Sequence, residues 1–235
     1  MSEVILIVPG RPDRRDAVAT AAQHLGELIG SGRVVEFPSP ALQTDTGAPY
    51  APRVAGPGPK DVAAEVEARG RRADFLVAAQ PGLQDDKTTR ACFRAALFGT
   101  ERPVLMVQAG FHTASFGRRV AIAWRDDIRT LKALMPALRL LGGAQEVHLL
   151  AGVRAGAPSP TVPPVLVEHG VRATLHLLAI GSGAFGEQLL GRTRELDLDM
   201  LIMGAHAHTP MWEVLLGGVT SYVVSHADLP VLLRH

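Results

Sequence analysis

Cysteine is almost missing from this sequence, and so is any imbalance of charge. Cys92 is the single cysteine, so neither an internal disulfide nor a thiolate metal site can form, which favours a reducing compartment. Lysine plus arginine number 24 and aspartate plus glutamate 23. Nucleic-acid binding normally needs a clear basic excess, which this near balance argues against.

Long apolar runs are missing too. No stretch is long enough to cross a bilayer. The opening MSEVILIVPGR has an acidic residue before a very short apolar run, unlike a signal peptide. We therefore expect a cytoplasmic protein that binds neither membranes nor nucleic acid.

Motifs of nucleophilic catalysis are the third absence. The sequence has no Gly-x-Ser-x-Gly elbow, no paired catalytic carboxylates and no phosphate loop ending in Lys-Ser/Thr. What is present is a globular composition: 235 residues, 47% hydrophobic and 20% charged. Such a chain has room for one large domain or two small ones with a real core.

Continuous apolar runs alternate with amphipathic segments along the whole chain. Runs such as EVILIV indicate strands buried on both faces, and apolar residues three and four apart indicate helices. Alternation of this kind predicts parallel sheets with right-handed crossovers, hence an open α/β layer structure. The predicted strands are 3–8, 34–37, 73–79, 103–107, 118–124, 146–151, 173–180, 199–205 and 229–234; the predicted helices are 14–30, 88–98, 128–143, 186–196 and 219–226.

The two halves of the sequence repeat one another. ADFLVAA followed by ERPVLM in the first half matches LDMLIMG followed by DLPVLL in the second. Such a duplication predicts one folding unit per half, here 1–112 and 117–235, with the boundary within 109–117. The first half is shorter by one strand and its helix, and carries instead the Pro- and Gly-rich stretch 38–60. We interpret that stretch as a flexible segment.

Ligands of open α/β sheets bind beyond the carboxyl ends of the strands. GSGAFG (181–186) follows a strand there and spells G-x-G-x-x-G, but the acidic residue that would hold a ribose is missing from the end of the next strand. A glycine-rich helix start capped by Ser182 is the simpler interpretation. His206 and His208 could share a metal ion, but no third ligand is placed by spacing, so solvated loop histidines are favoured.

The stretch LIMGAHAHTPMWEVLLGGVT (201–220) carries the strongest functional signal. Gly204 ends a buried strand, and Gly217 and Gly218 stand at the start of a helix. A helix start offers unpaired N–H groups and partial positive charge, and glycine lets a phosphate approach the backbone closely. Alternatively, the two glycines only kink one helix into two pieces.

At these residues the sequence resembles the universal stress protein family. That family ends in strand-G-x-x-G, nine residues, G-Ser/Thr, a helix, and a strand that begins Pro-Val. This chain has Gly204, two residues, Ala207, nine residues, Gly217, Gly218, and finally LPVLLRH. The resemblance covers both halves. It implies the tandem form, an open parallel sheet in each half, and pairing of the halves through their last strands as an internal pseudo-dimer, to which a homodimer could be added.

Members that keep the full pattern bind ATP or AMP, and this chain departs from it. The aspartate after the first strand is replaced by Arg125, with Asp126 and Asp127 shifted, and the phosphate-site Ser/Thr by Gly218. Arg125 either binds a different anion or forms a structural ion pair; we favour the ion pair. The candidate binding residues implied by the resemblance are Ala123, Arg125, Gly204, Ala207, His208, Gly217, Gly218, Val219 and Thr220.

The first half departs further. Its AQPGLQDDKTTRACF lacks the phosphate glycines, and Asp85 and Asp86 would repel a phosphate, so we expect no nucleotide there. Three functions stay open. The first is a non-enzymatic stress-response or regulatory module with weak or lost ATP or AMP binding, acting through an unknown protein partner. The second is an ATP- or AMP-binding switch with slow ATP hydrolysis in the second half. The third is a nucleotide- or anion-using enzyme.

Overall fold

Strands and helices alternate along the chain in the computed structural model, which describes residues 3–8, 10–30, 32–37, 58–112, 115–181, 184–205 and 218–235. The strands are β1 (Glu3–Ile7), β2 (Gly32–Glu36), β3 (Phe75–Ala79), β4 (Val104–Val107), β5 (Arg119–Trp124), β6 (Glu146–Val153), β7 (Thr174–Ala179), β8 (Met200–Gly204) and β9 (Val231–Arg234). The α-helices are α1 (Arg15–Leu28), α2 (Pro59–Gly70), α3 (Lys87–Arg94), α4 (Ile128–Leu141), α5 (Pro164–Glu168), α6 (Phe185–Glu195) and α7 (Gly218–His226).

All nine strands form one sheet in the order β2-β1-β3-β4-β9-β8-β5-β6-β7. Neighbours are parallel except at the centre, where β4 and β9 run antiparallel. The predicted α/β fold is therefore confirmed, and the two halves meet through their last strands. Because the central pair is antiparallel, the strands of the first half and those of the second half have their carboxyl ends on opposite sides of the sheet.

The central pair has the register of a twofold axis. Pro103 and Pro230 precede β4 and β9, so residues equally far beyond each proline correspond to one another. A twofold axis between the strands requires that one residue of β4 lie opposite the residue of β9 that corresponds to it. Leu105 lies opposite Leu232, and the flanking pairs are Val104 with Leu233 and Met106 with Val231.

Backbone hydrogen bonds recur at corresponding positions of the halves. The N–H of Asp74 donates to the carbonyl of Val4 at 2.8 Å, and the N–H of Asp199 donates to that of Arg119 at 2.9 Å. Further along, two more bonds of the first half have counterparts in the second. The N–H of Leu76 donates to the carbonyl of Pro103, and that of Leu201 to the carbonyl of Pro230, both at 2.9 Å. The N–H of Gln80 donates to the carbonyl of Val107, and that of Ala205 to the carbonyl of Arg234, both at 2.7 Å.

Within the described residues, the first half has one strand and one helix fewer than the second. Its crossover between β2 and β3 uses α2, a helix that the sequence prediction lacks. The predicted irregular stretch 38–60 is wrong at its end, because Pro59 and Lys60 are the first residues of α2; residues 38–57 lie outside the described residues. The short helix α5 is also absent from the prediction.

Helices cover both faces of the sheet and bury its apolar strands. One face packs against α1, α4 and α5, and the other against α2, α3, α6 and α7. Cys92 lies in the second layer with no exposed surface, and burial raises the pKa of its thiol to about 11. It is thus a core residue, as its helical spacing predicts.

The connection between the halves is anchored to α1. Phe111 and Phe116 are both buried and contact each other edge to face. The backbone N–H of Phe116 donates to Nε2 of His24 at 3.1 Å, and the two rings also touch. Phe116 of the predicted linker 109–117 therefore packs on the first half, whatever the domain boundary.

Candidate functional site

A cavity of about 300 Å³ opens at the carboxyl ends of the second-half strands. The ends of β5, β6 and β8 form its floor, and the starts of α6 and α7 form its walls. This is the edge where open α/β sheets bind ligands, because the loops that leave the strands there diverge to opposite faces. The residues that line it are Ala123, Trp124, Arg125, Thr130, Leu150, Gly152, Arg154, Ile180, Phe185, Leu189, Met203, Gly204, Val219 and Thr220.

The described lining is apolar at the floor and cationic at the mouth. Arg125 and Arg154 are its charged members, and no carboxylate, histidine or cysteine occurs among these described residues. An apolar floor with a few polar groups is the usual composition of a small-molecule site. Two guanidinium groups make this one suited to an anion.

Arg125 is oriented by the start of α4. Its guanidinium contacts the carboxylate of Asp127 in a very short ion pair, with Arg125 about two-thirds exposed. Asp127 is the N-cap of α4 and accepts from the N–H of Thr130 at 2.8 Å. Partial burial opposes ionisation of Asp127, but the Thr130 N–H and the Arg125 guanidinium together lower its pKa. The pair keeps Arg125 at the mouth of the cavity.

Five of the nine predicted binding residues come together in this cavity: Ala123, Arg125, Gly204, Val219 and Thr220. Gly218, also predicted, is exposed at the first position of α7. The other three, Ala207, His208 and Gly217, lie outside the described residues, as does His206. The binding role of all nine stays a prediction.

Sequence reasoning overlooked the part of the cavity contributed by β6 and α6. Gly152 lies one residue before the end of β6, and a Cβ atom there would lie 2.8 Å from Cζ of Phe185 and 2.9 Å from Cδ1 of Ile180. Only a residue without a side chain lets these two groups pack over the strand end. Arg154 follows two residues later. A glycine near the end of a buried strand is the sequence signal that could have found this wall.

Two of the three glycines of GSGAFG, Gly181 and Gly186, lie in the described part of the chain. α6 begins at Phe185 after Ala184, and Ser182 and Gly183 lie outside the described residues. Gly186 is buried in α6 facing Tyr222 of α7, where a Cβ would lie 2.8 Å from that residue's Cβ. Close packing of α6 on α7 therefore accounts for this glycine.

In the first half, the place that corresponds to this cavity, at the carboxyl ends of the strands, contains an ion pair. At the carboxyl end of β3, the Asp85 side chain is fully buried and Arg14 is about one-tenth exposed. Nη2 of Arg14 lies 3.0 Å from Oδ1 of Asp85, and Nη1 donates to the carbonyl of Gln80 at 2.7 Å. Oδ2 of Asp85 also accepts from the N–H of Gly82 at 2.8 Å. The predicted repulsion of phosphate is thus tempered at Asp85, whose charge is neutralised by Arg14.

A second polar cluster lies on the α6 face of the sheet. Arg192 donates to Nδ1 of His176 at 3.1 Å, so the neutral ring carries its proton on Nε2. That nitrogen lies 2.9 Å from Nδ1 of His148, whose Nε2 lies 3.0 Å from a carboxylate oxygen of Glu146. Every ring nitrogen has a partner when both histidines are neutral. Burial, then Arg192 and His148, lower the pKa of His176.

We predict that this cluster makes the protein less stable in acid. Since the folded-state pKa of His176 is below its unfolded value, the unfolded chain binds more protons as the pH falls from about 6.5, and the free energy of unfolding decreases. Urea denaturation followed between pH 5 and 7.5 should show a shallower pH dependence for His176→Gln than for the wild type. His235 has a lowered pKa as well, chiefly from burial, so His235→Gln should also make the profile shallower by removing its own contribution. An unchanged slope in His176→Gln would contradict the prediction.

A comparison with protein-family models finds a match in the second half of the chain. The family model described as the universal stress protein family matches residues 176–235, which include β7, α6, β8, α7 and β9. The resemblance to universal stress proteins is confirmed. No match is found among curated proteins.

Solved structures match over both halves. A universal stress protein from Archaeoglobus fulgidus is 13% identical, with 98% of this chain and 95% of that one covered and a TM-score of 0.70. A Pseudomonas aeruginosa protein assigned to the same family is 16% identical, with 99% and 82% covered and a TM-score of 0.54. At these identities the likeness establishes the fold. A universal stress protein in complex with cAMP matches half of this chain at 15% identity and a TM-score of 0.38, too little to argue from.

Proposed function

We propose that the chain is a tandem universal stress protein, a non-enzymatic regulatory module in which only the second half binds a small anionic ligand. The observation that carries this proposal is the cavity at the ends of β5, β6 and β8, with Arg125 and Arg154 at its mouth. The matching hydrogen bonds of the two halves support the tandem arrangement. The buried Arg14–Asp85 pair supports the restriction of binding to the second half.

Nucleoside monophosphates such as AMP fit the described walls better than ATP with magnesium. The cavity, about 300 Å³, is at the lower end of the range for ligand sites. Its described lining offers apolar surface to a base and two guanidinium groups to a phosphate. It offers no carboxylate to a magnesium ion, which prefers oxygen ligands.

Weak binding is expected, because the hydroxyl of the family's phosphate site is missing at Gly218 and the carboxylate that holds the adenosine part is missing at Arg125. The described lining also lacks a general base, so neither the ATP-hydrolysing switch nor the enzyme gains support from it. Regulation through a protein partner in a reducing compartment is the role that remains. The buried thiol of Cys92 suits such a compartment.

Calorimetry tests the proposal. We expect AMP to bind more tightly than adenosine, because only AMP has a phosphate that the arginines can contact. We expect added Mg²⁺ to leave the affinity for ATP unchanged. Arg154→Gln should weaken AMP about tenfold, the loss of one charge-assisted contact. Arg118→Gln is the control, since Arg118 is exposed at the opposite end of β5.

Equal heats for AMP and adenosine, or equal losses in the two arginine variants, would contradict anion binding in the cavity. Tight binding of ATP that depends on Mg²⁺ would favour the switch instead. Heat with NAD alone would favour the dinucleotide interpretation of GSGAFG.

A further inference from the structure

The nine-stranded sheet has an open edge at β7. Within the described part of the chain, β6 is the only strand that pairs with β7. An edge strand presents unpaired N–H and C=O groups that can template pairing with another strand. Proteins usually block such edges with charged side chains, proline or a bulge.

The backbone groups of β7 that point outward can be assigned. The N–H of Ile180, just beyond β7, donates to the carbonyl of Val153 in β6 at 2.8 Å. Along a strand in a parallel pair, the N–H and C=O of alternate residues point to the same side. Leu175, Leu177 and Ala179 therefore direct their backbone groups away from β6.

Strand β7 itself carries no protecting charge. Its sequence TLHLLA has neither charged residue nor proline, and the side chain of Leu177 is half exposed, at 51%. Arg192 of α6 reaches His176 on one face of the strand. The opposite edge, β2, reads GRVVE, and its Glu36 forms an ion pair with Arg15 at 2.5 Å. In the described part of the chain, β2 is thus protected by charges of its own and β7 is not.

We propose that two copies of this chain pair β7 to β7, antiparallel, about a twofold axis at Leu177. Each outward residue then exchanges both backbone hydrogen bonds with its counterpart: Leu177 with the partner's Leu177, and Leu175 with the partner's Ala179. Both cross-strand contacts are aliphatic. The remaining pair, His176 against the partner's Leu178, brings no charges of like sign together while the histidine is neutral.

A second copy is the occupant that the strand itself selects. Pairing centred on Leu177 leaves none of the outward groups of Leu175, Leu177 and Ala179 unpaired, and it sets the most exposed side chain of the strand against its own counterpart. Beside β7, a groove of about 600 Å³ runs along α6, where Arg192 and Glu195 form an ion pair at 2.7 Å. Gly191 has no side chain there and leaves space for the partner's Leu178 to pack. The same twofold, antiparallel contact already joins β4 to β9 within the chain.

Sedimentation velocity of the full chain between about 1 and 100 µM tests the proposal. We expect the wild type to form a species of twice the 25.0 kDa chain mass. Leu177→Lys should be monomeric, because two lysines would meet at the axis. Leu177→Pro should be monomeric as well. It removes an outward N–H and no bond to β6, a change that an edge strand tolerates.

Leu83→Lys is the matched control, since Leu83 is 98% exposed in the first half and distant in sequence from β7. It should keep the dimer. A wild-type chain that stays monomeric at 100 µM, a dimer that survives both Leu177 variants, or a dimer lost in Leu83→Lys would overturn the proposal. Circular dichroism melts that agree with the wild type within about 5 °C establish that each variant is folded.

Discussion

Replacing Asp85 with alanine should lower the free energy of unfolding by about 3–5 kcal/mol, the usual cost of removing one partner from a buried ion pair. Arg14 would keep its charge while its guanidinium, about one-tenth exposed, lost the carboxylate. The N–H of Gly82 would lose its acceptor too. Urea denaturation followed by circular dichroism measures the change.

Two further variants separate the charge from the packing. Arg14→Met together with Asp85→Leu removes both charges and keeps much of the volume, so it should restore part of the stability that Asp85→Ala loses. Asp86→Ala is the neighbouring control. Asp86 caps α3 by accepting from the N–H of Thr89 at 2.6 Å, and its loss should cost only about 1 kcal/mol. Equal losses for Asp85→Ala and Asp86→Ala would show that the buried pair adds nothing beyond a cap.

The sheet was predictable because most of its strands contain a continuous apolar run. Runs such as LIMG in β8 and VLLR in β9 have no amphipathic pattern, which is what burial on both faces produces in a parallel sheet. The repeated Pro-Val starts of β4 and β9 indicated how the halves correspond. The pairing of those two strands came from the family resemblance, since strand order across a domain boundary leaves no mark in local periodicity, and the structure adds that the pair is antiparallel.

The sequence prediction missed α2 and α5 for different reasons. α2 has a sound start: Asp61 accepts from the N–H of Gly58 at 3.0 Å, and Pro59 occupies the first turn. The preceding Pro- and Gly-rich residues obscured that signal, because the same residue types indicate loops. α5 has five residues, too few to show a 3.6-residue period.

The position of the cavity was predictable and half of its wall was not. Topology alone directs attention to the loops after Trp124 and Gly204. Phe185 and Gly152 contact one another from different elements, and no spacing rule connects them. A structural ion pair of Arg125 was the favoured one of two alternatives, with its partner left open, and the structure identifies the partner as Asp127.

Asp199 has the largest expected effect in the second half. Its carboxylate accepts from three consecutive backbone N–H groups, those of Gly117 at 2.8 Å and of Arg118 and Arg119 at 3.1 Å. These residues lead from the connection between the halves into β5. Asp199→Ala should lower the free energy of unfolding by about 3 kcal/mol, because partly buried donors lose a charged acceptor.

Asp74 provides the matched comparison, since it holds the corresponding place before β3. It is exposed and, among the described residues, accepts from the N–H of Val4 at 2.8 Å. Asp74→Ala should cost about 1 kcal/mol, because water can solvate the donors around an exposed carboxylate once it is removed. Asp199→Asn keeps one carbonyl oxygen and should lie between the two alanine variants. Urea denaturation of the three proteins under one buffer tests the order, and equal losses for Asp74→Ala and Asp199→Ala would mean that the backbone entering β5 does not depend on this carboxylate.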